Sequence, residues 1–140
     1  NLCCFRSGCA PMWEDFPRGG CWILKVRRGD RTSSPTGRLW QELLFAAIGE
    51  QLGGHQVVGV QLAARARDDM LAVWTRDDQD YAARFGVSER LKKCLGLADA
   101  SVVEYKPHQR SLKEKSGFRN ADAFMYVDKS TAAATAAALS

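Results

Sequence analysis

The sequence predicts an α+β fold: an antiparallel β-sheet with helices on one face. Three observations carry that expectation. Short runs rich in Val, Ile, Leu and Trp recur between turn residues. Two longer stretches place their apolar residues at helical spacing. Strand-like runs outnumber helical ones and are joined mostly by short or polar connections, which suits antiparallel pairing. With 140 residues, 46% of them hydrophobic, one domain can bury its own core. Residues 1–129 are expected to form that domain. Residues 130–140, mostly Ala, Thr and Ser, read as an Ala-rich tail with too little apolar bulk to join a core.

Cys21 to Val26 reads as the first strand, opened by the Gly19-Gly20 turn. Residues 27–38 carry Gly, Asp, Ser, Pro and Thr and read as a loop. Leu39 to Glu50 is the clearest helix, with Leu39, Leu43, Leu44, Ala47 and Ile48 expected on its core face. Gln41, Glu42 and Phe45 fall to another side, and Gly53-Gly54 marks the turn that follows. Val57 to Leu62 and Met70 to Thr75 read as strands joined by a polar, hairpin-like turn over Arg65 to Asp69. Gln79 to Leu95 is the second helix, with Tyr81, Phe85, Leu91 and Leu95 as core candidates and Gly96 as its stop. Ser101 to Tyr105 and Phe124 to Val127 are the last strands, separated by a charged loop over Lys106 to Ala123.

Composition narrows the function classes. A net charge of +4 suits a small anionic ligand, which needs only a few placed cations, better than a long nucleic-acid track. No apolar run approaches the roughly 20 residues of a membrane helix, and no membrane partner is expected. The five cysteines, Cys3, Cys4, Cys9, Cys21 and Cys94, lack paired C-x2-C spacing and read as reduced thiols, with no metal site expected. The chain opens on Asn1 and an apolar stretch, not on Met, so a longer protein is expected to precede it. His55 and His108 have no nucleophile partner at a familiar spacing, and the carboxylates are scattered. A binding protein is therefore expected, without catalytic residues or a cofactor.

The candidate binding residues fall into four groups. Trp13 and Glu14 sit in a Pro- and Gly-flanked stretch. The indole face attracts a cationic ring, and the carboxylate accepts two hydrogen bonds from adjacent N–H donors. Seven-methylguanine, cationic through its N7 methyl, offers both. A loop tryptophan beside an acid is also what a simple packing residue looks like. Arg65 and Arg67 can fork onto phosphates or merely solvate a turn. Lys113 and Lys115, with Arg110 and Arg119, form an ordinary charged loop unless something brings them to a ligand. Phe45, one turn after Gln41, is either an exposed anchor for a partner helix or partly buried by its neighbours.

Together these stretches resemble the eukaryotic translation initiation factor 4E family. The matching pieces are Phe5-x-x-Gly8-x-x-Pro11-Met12-Trp13-Glu14-Asp15, Gly19-Gly20-x-Trp22, and Leu39-Trp40-x-Glu42-Leu43-Leu44-x-x-x-Ile48-Gly49-Glu50. Leu71-Ala72-Val73-Trp74-Thr75, Leu95-Gly96-Leu97 and Tyr105-x-x-His108 complete the set. They cover nearly everything from Phe5 to Val127 in the family's order. The resemblance implies a curved antiparallel sheet backed by helices on its convex face, with the 7-methylguanosine cap of mRNA in the concave face. Trp13 would be one of two indoles sandwiching the methylated base. Glu14 would grip its N–H edge, and the Trp13 backbone its oxygen. Trp74 would touch the N7 methyl and Arg65 the phosphate bridge, with Arg67 and Lys115 flanking more loosely. Gln41, Glu42 and Phe45 would meet a scaffold factor of the 4G type or a 4E-interacting regulatory protein.

The sequence departs from the family pattern in three places. The family's other sandwich tryptophan belongs to an N-terminal region, with a strand and a helix, that this sequence lacks. Met70 stands where a lysine usually supports Arg65, and Gln41 and Phe45 replace two leucines of the partner-binding helix. The resemblance therefore implies cap binding that recruits a scaffold factor to start translation. It also admits a cap-binding repressor paralogue, or an interaction module with weakened cap affinity. The expected compartment is the cytoplasm, with the nucleus also compatible.

Overall fold

The computed structural model describes residues 1–27, 34–98, 101–118 and 122–124. The strands are β1 (Leu2–Phe5), β2 (Gly20–Arg27), β3 (Val57–Ala64), β4 (Asp68–Thr75), β5 (Val103–Pro107) and β6 (Asp122–Phe124). They form one sheet in the order β1-β3-β4-β2-β5-β6, every neighbouring pair antiparallel. Helix α1 covers Thr36–Ile48, α2 covers Tyr81–Cys94 and α3 covers His108–Glu114, with single 3-10 turns at Trp13–Asp15 and Gly54–Gln56. The expected α+β class, with an antiparallel sheet, is the class observed.

Alternation along the strands divides the molecule. Trp22, Leu24 and Val26 of β2 and Leu71 and Val73 of β4 turn to the face covered by α1 and α2. There they meet Leu39, Leu43 and Ala46 of α1 and Phe85, Val87 and Leu91 of α2. Each buried Val, Leu or Phe side chain among them contributes roughly 1.5–3 kcal/mol. Cys21, Ile23, Ala72 and Trp74, the alternate residues, form a second cluster on the opposite face with Phe16 and Val58. A register shift between Val57 and Gly59 lets Val57 and Val60 join the first cluster while Val58 joins the second.

The helix ends follow local chemistry. Asp80 caps α2 by accepting from the Ala83 N–H at 3.0 Å. Its far end closes at Gly96, φ +63, with the Gly96 N–H on the Lys93 carbonyl and the Leu97 N–H on the Lys92 carbonyl, so the expected glycine stop is a Schellman cap. The α1 start is tied to β4 by the Thr36 hydroxyl, which donates to Asp69 at 2.8 Å. Gly19 and Gly20 have no room for a Cβ: one at Gly19 would collide with the Thr75 carbonyl and one at Gly20 with the Tyr105 ring.

Several expectations need correction. Helix α1 begins at Thr36, inside the segment read as a loop; residues 28–33 of that segment lie outside the described residues. Ile48 is 70% exposed and is not a core residue. It lies nine residues from Leu39, and at about 100° per residue that is the opposite side of the helix. Ala46, not Ala47, completes the buried stripe. Strand β1 belongs to the sheet although it was read only as an apolar opening. The stretch read as a charged loop from Lys106 begins as the end of β5 and continues as α3. Its single apolar residue, Leu112, gives no helical period to detect. Residues 119–121 of that loop, 125–127 of the last expected strand, and the 130–140 tail lie outside the described residues.

Candidate functional site

A cleft of about 710 Å³ opens on the face opposite the two long helices. Pro11 and Trp13 wall it on one side, and Lys115 to Phe118 close over it after α3. Its floor is strand surface: Cys21 and Lys25 from β2, Gln61 from β3, and Met70 and Trp74 from β4. Arg65, at the β3–β4 turn, stands at the rim.

Trp13 is half-buried on its 3-10 turn, and a Cβ at Gly117 would sit 3.4 Å from its Cζ2. The indole is therefore flanked by the post-α3 loop while it still lines the cleft. The Trp13 N–H, first in the turn, has no hydrogen-bond partner among the described residues. Glu14 follows it, exposed, with its carboxylate unengaged among the described residues.

Trp74 is of another kind. It is 3% exposed, and its Nε1 donates to Gln61 Oε1 at 3.1 Å. Phe5 meets it edge-on at 5.3 Å and His108 lies at 4.6 Å. Phe5 occupies space left by Gly59, where any Cβ would strike its ring. Trp74 thus offers the cleft a fixed edge and no free face. His108 is fully buried, neither ring nitrogen is hydrogen-bonded among the described residues, and burial lowers its pKa from 6.5 to about 4. The Cys21 thiol on the cleft floor is pushed up by burial.

The opposite end of the cleft is cationic. Arg65 lies over the Phe118 ring at 5.3 Å and donates to Asn1 Oδ1 at 3.3 Å. Lys115 is exposed, in the left-handed conformation that ends α3 (φ 51). Lys25 pairs with Glu104 at 3.1 Å. Beneath the loop, Lys106 is wholly buried and donates to Glu114 Oε2 at 2.7 Å and to the Ser116 carbonyl at 2.6 Å. That buried cation fastens α3 and the cleft wall to β5.

The cleft therefore gathers Trp13, Trp74, Arg65 and Lys115 from four separate stretches of sequence. Glu14 and Arg67 are not lining residues; Arg67 is exposed on the turn beyond Arg65. Of the other basic candidates, Lys113 is exposed and does not line the cleft, and Arg119 lies outside the described residues. Sequence reasoning missed Lys25, Gln61 and Phe118 as lining residues and Lys106 as the anchor. For Lys25 a signal was present, since period two puts it on the same side as Cys21 and Ile23. On the helical face, Gln41 is exposed, Phe45 is 64% exposed and Ile48 extends the same strip. Glu42 is half-buried and accepts from Arg38 at 3.0 Å. Among the described residues, no group of three or more His, Cys, Asp or Glu could hold a metal ion, all five cysteines are free thiols, and no helix is long and apolar enough to cross a membrane.

Comparison with known proteins decides the family. The model of the family described as eukaryotic initiation factor 4E matches residues 1–123. The chain belongs to the initiation factor 4E family. Among its 4E relatives, the eukaryotic translation initiation factor NCBP of Arabidopsis thaliana is 36% identical over 119 residues, covering 83% of this chain and 52% of the relative. Initiation factor 4E-4 of Caenorhabditis elegans is 34% identical over 119 residues, covering 83% of this chain and 54% of the relative. The chain thus spans about half the length of these curated relatives. Initiation factor 4E-3 of Ascaris suum, solved with an m7G cap, superposes with a TM-score of 0.69 at 32% identity, over 76% of this chain and 61% of that one. Initiation factor 4E-3 of C. elegans, solved with the 4E-binding protein Mextli and a cap analogue, gives 0.71 at 30% identity, over 79% and 64%.

Proposed function

We propose that this chain binds the 7-methylguanosine 5′ cap of mRNA in the cleft and recruits a 4G-type scaffold factor or a 4E-interacting regulatory protein through α1. The observation that carries the reading is the pairing of Trp13 with its surroundings. A half-buried indole forms one short turn with a backbone N–H and a neighbouring carboxylate that have no partner among the described residues. A methylated guanine is cationic, and its Watson–Crick edge presents an oxygen beside two N–H groups. The indole face attracts the cation. The Trp13 N–H donates to the oxygen, and Glu14 accepts from both N–H groups. Trp74 contributes an edge at the methyl, and Arg65 and Lys115 take the phosphates, with Arg67 more loosely placed. The neighbours solved with an m7G cap and with a cap analogue support the same ligand.

On the other face, the exposed strip of Gln41, Phe45 and Ile48 is an anchor surface for an amphipathic partner helix. The neighbour solved with Mextli supports a partner of this kind. The proposed role is that of an initiation factor, with the cytoplasm as its proposed compartment. An interaction module with weakened cap affinity is the second reading, and Met70 in the cleft floor favours it.

The test is titration of the 140-residue chain with 7-methyl-GTP and with GTP, following tryptophan fluorescence. Selective quenching by the methylated nucleotide is expected, with loss of that selectivity in Glu14→Gln. Equal response to both nucleotides would reject cap recognition and favour the interaction module.

A further inference from the structure

The cationic end of the cleft also takes a lysine from β2, a strand that holds none of the sequence-predicted binding residues. Lys25 on β2 stands directly opposite Met70 on β4, and both line the cleft with Arg65 and Lys115. Four residues away on the same two strands, Cys21 stands opposite Trp74. The Trp74 end and the Lys25 end are thus separated by about 13 Å of strand, with the same face of the sheet as their common floor. Met70 between Arg65 and Lys25 is apolar and offers a phosphate neither donor nor repulsion.

Lys25 is not a stray surface cation. Its ammonium sits 3.1 Å from Glu104 Oε2 and 3.2 Å from Oε1, across the β2–β5 pair. The Glu104 side chain is only 16% exposed, whereas that of Lys25 is 45% exposed. The carboxylate is the fixed member and the lysine the accessible one. An ammonium carries three donors, so Lys25 can keep Glu104 and still turn an N–H into the cleft. Arg65 approaches the same space from the β3–β4 turn.

We propose that Lys25, while paired with Glu104, is a phosphate-binding residue of this cleft, gripping the 5′-polyphosphate of the ligand from the β2 side while Arg65 grips it from the β3 side. This rests on the cap reading and deepens it by adding a phosphate contact from a strand that the family pattern does not use for it. The competing account is that Lys25 and Glu104 form a cross-strand ion pair that serves only the sheet. The two accounts differ in sign. If the pair only holds the sheet, cutting it from either end has the same consequence. If Lys25 grips phosphate, losing the lysine weakens binding, and neutralising the glutamate does not.

The experiment measures the ratio of the Kd for 7-methylguanosine to that for 7-methyl-GTP, which isolates the phosphates from the base. Lys25→Met should shrink that ratio about tenfold, the worth of one charge-assisted contact, with the nucleoside affinity unchanged. Glu104→Gln should preserve or raise the ratio. Adding Met70→Lys to Lys25→Met should restore it, because the cation returns one strand away. Lys113→Met, an exposed cation outside the cleft, should leave it unchanged. An undiminished ratio in Lys25→Met, or an equal fall in Lys25→Met and Glu104→Gln, would overturn the assignment. If the unsubstituted chain does not prefer 7-methylguanosine to guanosine, the cap reading itself falls and the Lys25 assignment falls with it.

Discussion

Two tryptophans on adjacent strands of this sheet do opposite work. Trp22 faces the helices, is fully buried, and its Nε1 donates to the Arg84 carbonyl at 2.9 Å. It touches Phe85 and Tyr105 at 5.8 and 4.9 Å. Trp74 faces the other way, is almost as buried, yet its edge lines a cleft with Lys25 and Arg65 at the far end. Trp74 stands opposite Cys21 in the β2–β4 register, one residue out of step with Trp22, so the two indoles fall on opposite faces. One face closes on α1 and α2 with a mainly apolar core. The other stops short of closing and ends in polar groups. A period-two pattern therefore separates the side that sets stability from the side that holds the ligand, and a substitution should reveal which side it is on.

The largest expected effect is on the helical side. Trp22→Ala should cost about 3–5 kcal/mol, read as a lower urea midpoint. A cost under about 1 kcal/mol would break the division. A smaller effect comes from His108, which supports the cleft face from beneath Trp74. Its lowered pKa means that the folded chain holds fewer protons than the unfolded chain between about pH 6.5 and about pH 4. Its contribution is full above pH 6.5 and is lost as pH falls toward 4, by about 3 kcal/mol in all. Unfolding of the chain and of His108→Phe across that window should show the variant losing less stability on acidification. Parallel pH profiles would count against a buried neutral imidazole. Smaller again is Lys106→Met. It leaves the Ser116 carbonyl without its cation and should cost about 1–3 kcal/mol, together with faster hydrogen exchange in 108–118. Unchanged exchange there would mean that the wall over Trp13 is held by something else.

The parts of this division visible in the sequence are those with strong local signals. The Pro and Gly residues around Trp13 and Glu14 mark a turn that cannot be wholly core, and the structure has that turn. Cys21 to Val26 and Met70 to Thr75 show β character in a few residues, and both are strands. Gly96 stops α2 because only a residue tolerant of positive φ closes that cap. Less was legible where meaning depends on pairing. Lys25 is only one residue of an expected strand until its partners, Met70 and Glu104, are known. Lys106 reads as part of a charged loop, whereas its ammonium is buried under α3. Ile48 is expected on the core face from its spacing to Leu44, whereas drift along the helix puts it half a turn from Leu39 and outside the core.

The most direct test of the division is Trp13→Ala, with binding and stability measured on the same sample. Calorimetric titration with 7-methyl-GTP should show a loss of affinity of roughly 5- to 150-fold, given about 1–3 kcal/mol for a stacked base. The urea midpoint should move by less than about 1 kcal/mol in stability, because the ring is half-exposed. Retained affinity, or a loss of affinity that comes only with a collapse of stability, would contradict the account: Trp13 would then be a packing residue of the fold and not the platform of its site.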